Sequence, residues 1–275
     1  MVNVPAPVNA PEIGECIYCG DHNGPLTTEH AVPYGLNGSW TLLEASCHTC
    51  AKITHRFERD TMRCLWPEIR IALAIQSRRR SKRPDTLPLV VQRNGISETI
   101  RVPTAEYPAY LHTPLFPPPA VFWIRKPVRG VFANLDMIHI AGPTFIEASA
   151  RYPDAQFVGV RSNFSPDDFA RTLAKIGFCA AVACVGLGAF TQTPIRKIIL
   201  GSDEGIGHWV GCWQGEPFNP ESGLHAIKVM YEPPTSMIHA FVRLFGQFGA
   251  PEYHIVLGQA DPAYVASHRW PKMWA

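Results

Sequence analysis

Residues 16–55 read Cys16-Ile17-Tyr18-Cys19-GDHNGPLT-Thr28-Glu29-His30-Ala31-Val32-Pro33-YGLNGSWTLLEAS-Cys47-His48-Thr49-Cys50-AKIT-His55. Two CxxC pairs frame a Glu-His step, and His55 follows the second pair. A CxxC turn presents two thiolates to one ion, and a second such turn completes a tetrahedron. The spacing therefore predicts a structural zinc site at Cys16, Cys19, Cys47 and Cys50. Zinc binding then supplies folding energy to a segment too small to bury a core alone. A carboxylate and an imidazole held between the pairs point to a second, catalytic metal centre.

Working outward, residues 1–11 are rich in Pro and Ala and form an expected flexible lead with no secretion-signal core. Residues 12–75 are the expected cysteine module. Short strands are expected near Leu26–Thr28 and Trp40–Leu43, with a turn-rich loop over Pro33–Ser39 between them. A helix is expected from about Cys50 to Ile75, with Pro67 able to kink it. Residues 76–118 hold five basic side chains in six positions (Arg78, Arg79, Arg80, Lys82, Arg83) and then many prolines. That composition predicts a basic, extended linker.

From 119 to 275 the pattern predicts an α+β domain with an antiparallel or mixed sheet. Strands are expected at Val121–Ile124, Leu135–Ile140, Gln156–Val160, His225–Tyr231, Ile238–Leu244 and Tyr253–Leu257. Ser165-Pro166-Asp167-Asp168 is a strong helix start, and Gly186 a stop. The fold class expected for the whole chain is α+β, a zinc-stapled module followed by a mixed domain.

The composition is 46% hydrophobic and 17% charged, which excludes a disordered chain. No apolar run reaches the roughly 18 residues of a membrane span. Cys64, Cys179, Cys184 and Cys212 sit mostly among apolar residues and are expected as free thiols, which suits a cytoplasmic location. The net charge of +2 conceals an asymmetry. Residues 61–130 carry twelve Lys/Arg and four Asp/Glu, whereas residues 1–60 carry three and seven. Basic charge placed just after the cysteine module suits a polyanion such as nucleic acid.

The order Cys16-x-x-Cys19, Thr28-Glu29-His30-Ala31-Val32-Pro33, glycine-bearing loop, Cys47-x-x-Cys50 and helix resembles the zinc-containing HNH endonucleases over residues 14–60. The chain is also similar to uncharacterised bacterial proteins that carry this module at their N-terminus, with related sequence around Phe169–Ile176. The resemblance implies a ββα-metal module gripping one catalytic divalent ion, Mg²⁺ or Mn²⁺, and hydrolysis of phosphodiester bonds in DNA. It implies His30 as general base and Glu29 as a metal ligand. His55 is the best candidate for the last ligand, and Glu58, one turn further along, is the reserve. The family places an asparagine at the start of the second strand, where Ser39 or Trp40 stands here. Asn37 is the candidate to orient the base through a shifted loop. Arg78, Arg79, Arg80, Lys82 and Arg83 are the expected phosphate contacts, with Arg56 and Arg59, or Arg125, Lys126 and Arg129, adding to them. Two other readings compete: a non-catalytic, zinc-stabilised nucleic-acid-binding protein, and a zinc adaptor for a protein partner. The larger domain has no comparable motif and is open to a ligand, a protein partner or self-association.

Overall fold

The computed structural model describes residues 8–76, 83–159, 163–218 and 223–267. Helices and strands are mixed along the chain. Strand β2 (Leu26–His30) pairs antiparallel with β3 (Trp40–Cys47), and helix α1 (His48–Leu65) follows β3 without a break. Both strands run longer than expected. The expected lead is structured at its end, because Val8–Glu12 forms β1, which adds to β3 in parallel with Val8 opposite Trp40.

Between β2 and β3 the chain makes one 3-10 turn at Tyr34–Leu36 and then places Asn37 in the left-handed region at φ 65°. A Cβ at Gly38 would stand 1.9 Å from the Val32 carbonyl oxygen, so the loop requires glycine there. The long helix expected after Cys50 ends at Leu65. Pro67 lacks an N–H to continue it, so it opens a new short helix instead, α2 (Pro67–Ala72).

The linker expected over residues 76–118 is largely strand. β4 (Thr86–Arg93) and β5 (Ile96–Pro103) form a hairpin through Asn94-Gly95, both at positive φ (50° and 76°). Two such residues give the turn a twist that matches the strands it joins. The inward face of β4 alternates as Leu87, Leu89 and Val91, all buried, while Pro88 points outward. β6 (Ala109–Leu115) pairs with β7 (Asn134–Ala141), and after helix α3 (Phe145–Ala150) the short β8 (Phe157–Gly159) adds to β4. A strand at Val121–Ile124 does not form; Ala120–Phe122 is a 3-10 turn after three consecutive prolines.

Helix α4 (Pro166–Val185) matches its sequence signals: the Ser165 hydroxyl accepts from the Asp168 N–H, and the helix stops at Gly186, φ 73°. Short elements follow: β9 (Phe190–Gln192), α5 (Ile195–Leu200), α6 (Ile206–Trp209) and β10 (Val210–Cys212). Then come β11 (His225–Glu232), β12 (Met237–Leu244), β13 (Glu252–Ala260) and α7 (Pro262–Ser267). The sheet order is β10-β13-β12-β11, with β9 also on β13.

Helix α4 lies between this sheet and α1, and is buried on nearly every side. Against the sheet it comes so close at Gly177 that a Cβ there would sit 2.8 Å from Cβ of Ala240. Against α1, the Thr172 hydroxyl donates to the Asp168 carbonyl and meets the Thr61 hydroxyl at 3.2 Å, while the Arg171 guanidinium lies 4.8 Å above the Phe57 ring. One apolar core therefore runs from Cys16, Ile17 and Tyr18 through Phe57 and Trp66 to Phe169, Phe178 and Tyr253. His225 adds a polar tie. Its Nε2 donates to the Leu36 carbonyl at 2.6 Å, its Nδ1 accepts from the Phe245 N–H, and burial pushes its pKa down to about 4. No helix among the described residues is long and apolar enough to cross a membrane.

Candidate functional site

Cys16, Cys19, Cys47 and Cys50 converge as the spacing predicts, with their four sulfur atoms within 4.8 Å of one another. They could hold a metal ion such as zinc. Gly20, at φ 77°, closes the first turn, and its N–H donates to the Cys16 carbonyl at 2.8 Å. The second pair belongs to the start of α1, with Cys47 as the residue before the first turn and Cys50 within it. Exposed N–H groups at a helix start favour anionic sulfur. Burial raises the Cys16 thiol, but N–H donors from Cys47, Cys19 and Tyr18 outweigh it and leave the pKa lowered. Cys50 is pushed upward, first by burial and then by the charge on Cys16. Four sulfurs this close cannot all be anionic without a cation between them. An all-sulfur set of this kind suits zinc.

The Glu-His step ends β2. Glu29, His30, His55, Glu58 and Arg70 line one cleft of about 310 Å³. β2 supplies the first two, α1 the next two and α2 the last. His55 is exposed at the rim, and Glu58, one helical turn on, is buried beneath it. The His30 ring meets the Tyr34 ring edge-on at 6.0 Å. Arg70 is anchored by its Nε, which donates to the Gly35 carbonyl at 2.9 Å. Sequence alone thus named four residues that the fold gathers into one cleft.

Behind the two acids stands a residue that the sequence reading passed over. Lys175 of α4 is wholly buried, with its Nζ 2.8 Å from Oε1 of Glu29 and 2.7 Å from Oε1 of Glu58. It also donates to the His30 carbonyl. At that separation the ammonium gives Glu58 both charge and hydrogen bonding. Burial alone would depress Lys175, but Glu29 and then Glu58 hold its ammonium above the ordinary range. Burial raises Glu58, against the pull of Lys175. Two acids and one ammonium thus share the cleft wall. A signal for Lys175 existed: it is the only charged residue from 172 to 185, inside an otherwise apolar helix.

Other expected residues are placed differently. Asn37 does not line the cleft; its Oδ1 accepts from the Gln76 N–H at 2.6 Å and ties the loop to the segment after α2. Ser39 also lies outside the cleft lining. Across the hairpin, Glu29 faces Leu42 and His30 faces Thr41. Arg78, Arg79, Arg80 and Lys82 lie outside the described residues. Arg83 donates to the Ile75 carbonyl, so it closes the end of the α2 segment. Arg59 pairs with Asp60 at 2.9 Å, and Arg129 with Glu204 at 3.4 Å.

A second cavity, of about 400 Å³, opens between α2 and the β4–β5 hairpin. Glu68 and His112 form its polar floor, 3.7 Å apart. Burial pushes the Glu68 carboxyl up to about 7 and the imidazole down. A carboxyl raised on folding binds its proton more tightly in the native state, so stability falls as pH rises from 4.5 to about 7. Glu68→Gln abolishes that loss. The variant is expected to match the native protein near pH 4 and exceed it near pH 8, by up to ~3 kcal/mol. Melting temperatures across that range check this, and parallel curves would exclude it.

Comparison with known protein families, curated proteins and solved structures finds no match to this chain.

Proposed function

We propose that the chain is a metal-dependent endonuclease of the HNH type, acting on DNA and built on a structural zinc at the four cysteines. One observation carries this reading: Glu29, His30, His55 and Glu58 converge with Arg70 on a single cleft, beside a four-sulfur cluster. Phosphodiester hydrolysis needs a base for water, charge relief on phosphate, and help for the leaving oxygen. His30 takes the proton from the attacking water. The anchored Arg70 offers its remaining N–H groups to a phosphate oxygen. Glu29, Glu58 and His55 would hold the divalent ion, which when bound offsets negative charge on the leaving oxygen.

One observation favours a second reading. Lys175 already neutralises part of the acid pair, which suits a zinc-stabilised nucleic-acid-binding protein without catalysis. Plasmid nicking in Mg²⁺ or Mn²⁺ decides between them. The native protein is expected to cleave, and His30→Ala to lose at least about a hundredfold in rate, the scale of a general base. Zinc content, melting temperature and DNA affinity should be retained. A native protein that binds DNA but cleaves with neither ion would establish the second reading instead.

A further inference from the structure

Among buried groups, the Glu29–Glu58–Lys175 cluster has the clearest geometry. Lys175 reaches across from α4, more than a hundred residues away in sequence, and is the only element of that helix to enter the hairpin site with its charge. Its ammonium meets three oxygens: one from each carboxylate and the His30 carbonyl. A small cation surrounded by hard oxygens is what a divalent ion would find at the same wall. An ammonium differs from such an ion in being tethered, so it cannot leave.

We propose that Lys175 is a resident stand-in for a metal cation, which keeps Glu29 and Glu58 together when no divalent ion is present and weakens their affinity for one. The first effect follows from burial: two carboxylates at under a tenth exposure repel each other unless a positive charge lies between them. The second follows from Coulomb's law, because a fixed positive charge behind the acids opposes any cation approaching in front. The metal-ligand role of the acids rests on the proposed nuclease reading, but the stand-in role does not need cleavage to be tested. The arrangement also makes the larger domain part of the site, since α4 supplies the charge.

The test is Mn²⁺ binding to the full-length, zinc-loaded chain, followed by titration calorimetry and by the melting temperature with and without Mn²⁺. Lys175→Met is expected to bind Mn²⁺ at least about tenfold more tightly than the native protein, and to gain more in melting temperature from it. Lys175→Gln is neutral but can donate to both acids, so it guards against simple misfolding; it should show the same gain. Equal or weaker Mn²⁺ affinity in either folded variant would overturn the proposal. So would variants that stay unfolded in saturating Mn²⁺, because an ion able to replace the ammonium should restore the fold. Plasmid nicking is read alongside. If the variants gain Mn²⁺ affinity but the native protein never cleaves, the nuclease reading falls while the stand-in role of Lys175 holds.

Discussion

Cys47→Ser, or removal of the metal with a strong chelator, is expected to melt the whole described core in one transition. The four sulfurs stand within 4.8 Å of one another, and without a cation their charges oppose that approach. Structural zinc in small motifs contributes roughly 10–16 kcal/mol at neutral pH. Whole domains are stable by only about 5–15 kcal/mol, so losing the ion can exceed the entire margin. Serine at position 47 is a better residue than cysteine to precede a helix. The loss therefore cannot be ascribed to poorer capping of α1. The unfolding should not stop at residue 75, because Cys16, Ile17 and Tyr18 share one apolar core with Phe178 and Tyr253. The Tyr18 hydroxyl also meets Cys179 of α4 at 3.3 Å. Zinc content and thermal unfolding, followed at several wavelengths, check both parts. A Cys47→Ser protein that retained zinc and its melting temperature would exclude the four-cysteine site. Separate melting of the first 75 residues would exclude the shared core.

What could be foreseen from sequence depended on whether the signal was local. The CxxC turns carry their geometry in four residues each, and Ser165-Pro166 and Gly186 mark the ends of α4 by short-range chemistry; all were found where expected. The late strands His225–Glu232, Met237–Leu244 and Glu252–Ala260 also followed their alternation and composition. In the segment after residue 76, prolines mask a period-two pattern. Pro88 lies on the outward side of β4, between the buried Leu87 and Leu89, so it does not interrupt the inward face. The Asn94-Gly95 turn was the available sign of that hairpin. Asn37 follows from analogy of position alone; it sits in the left-handed region and binds the N–H of Gln76, a residue of the cleft lining, without lining the cleft itself. Lys175 illustrates a different limit. Its partners Glu29 and Glu58 lie far away in sequence, and only the packing of α4 on α1 brings the three together.

The Glu29→Gln, Glu58→Gln double substitution is expected to cost far more than its two parts. Either single change leaves one carboxylate facing the Lys175 ammonium and removes a surplus negative charge from a buried place. Burial already raises Glu58 toward its neutral form, so Glu58→Gln alone should cost about 1 kcal/mol, the scale of one hydrogen bond. The double substitution strands a wholly buried ammonium with no counter-charge. Breaking a buried ion pair in this way typically costs about 3–5 kcal/mol. Residues in one network deviate from additivity by about 0.5–3 kcal/mol, and this triad should lie at the upper end. Denaturant unfolding of the native protein, both single variants and the double variant closes the cycle. The pH dependence supplies an independent check. In the double variant, burial without a partner depresses the folded-state pKa of Lys175 below its ordinary 10.5. The unfolded chain then binds the extra proton, so stability must rise as pH increases toward 10.5. In the native protein the shift has the opposite sign, and the contribution of Lys175 is lost only above that value. Additive single effects together with parallel pH curves would mean that the three groups do not act as one buried unit.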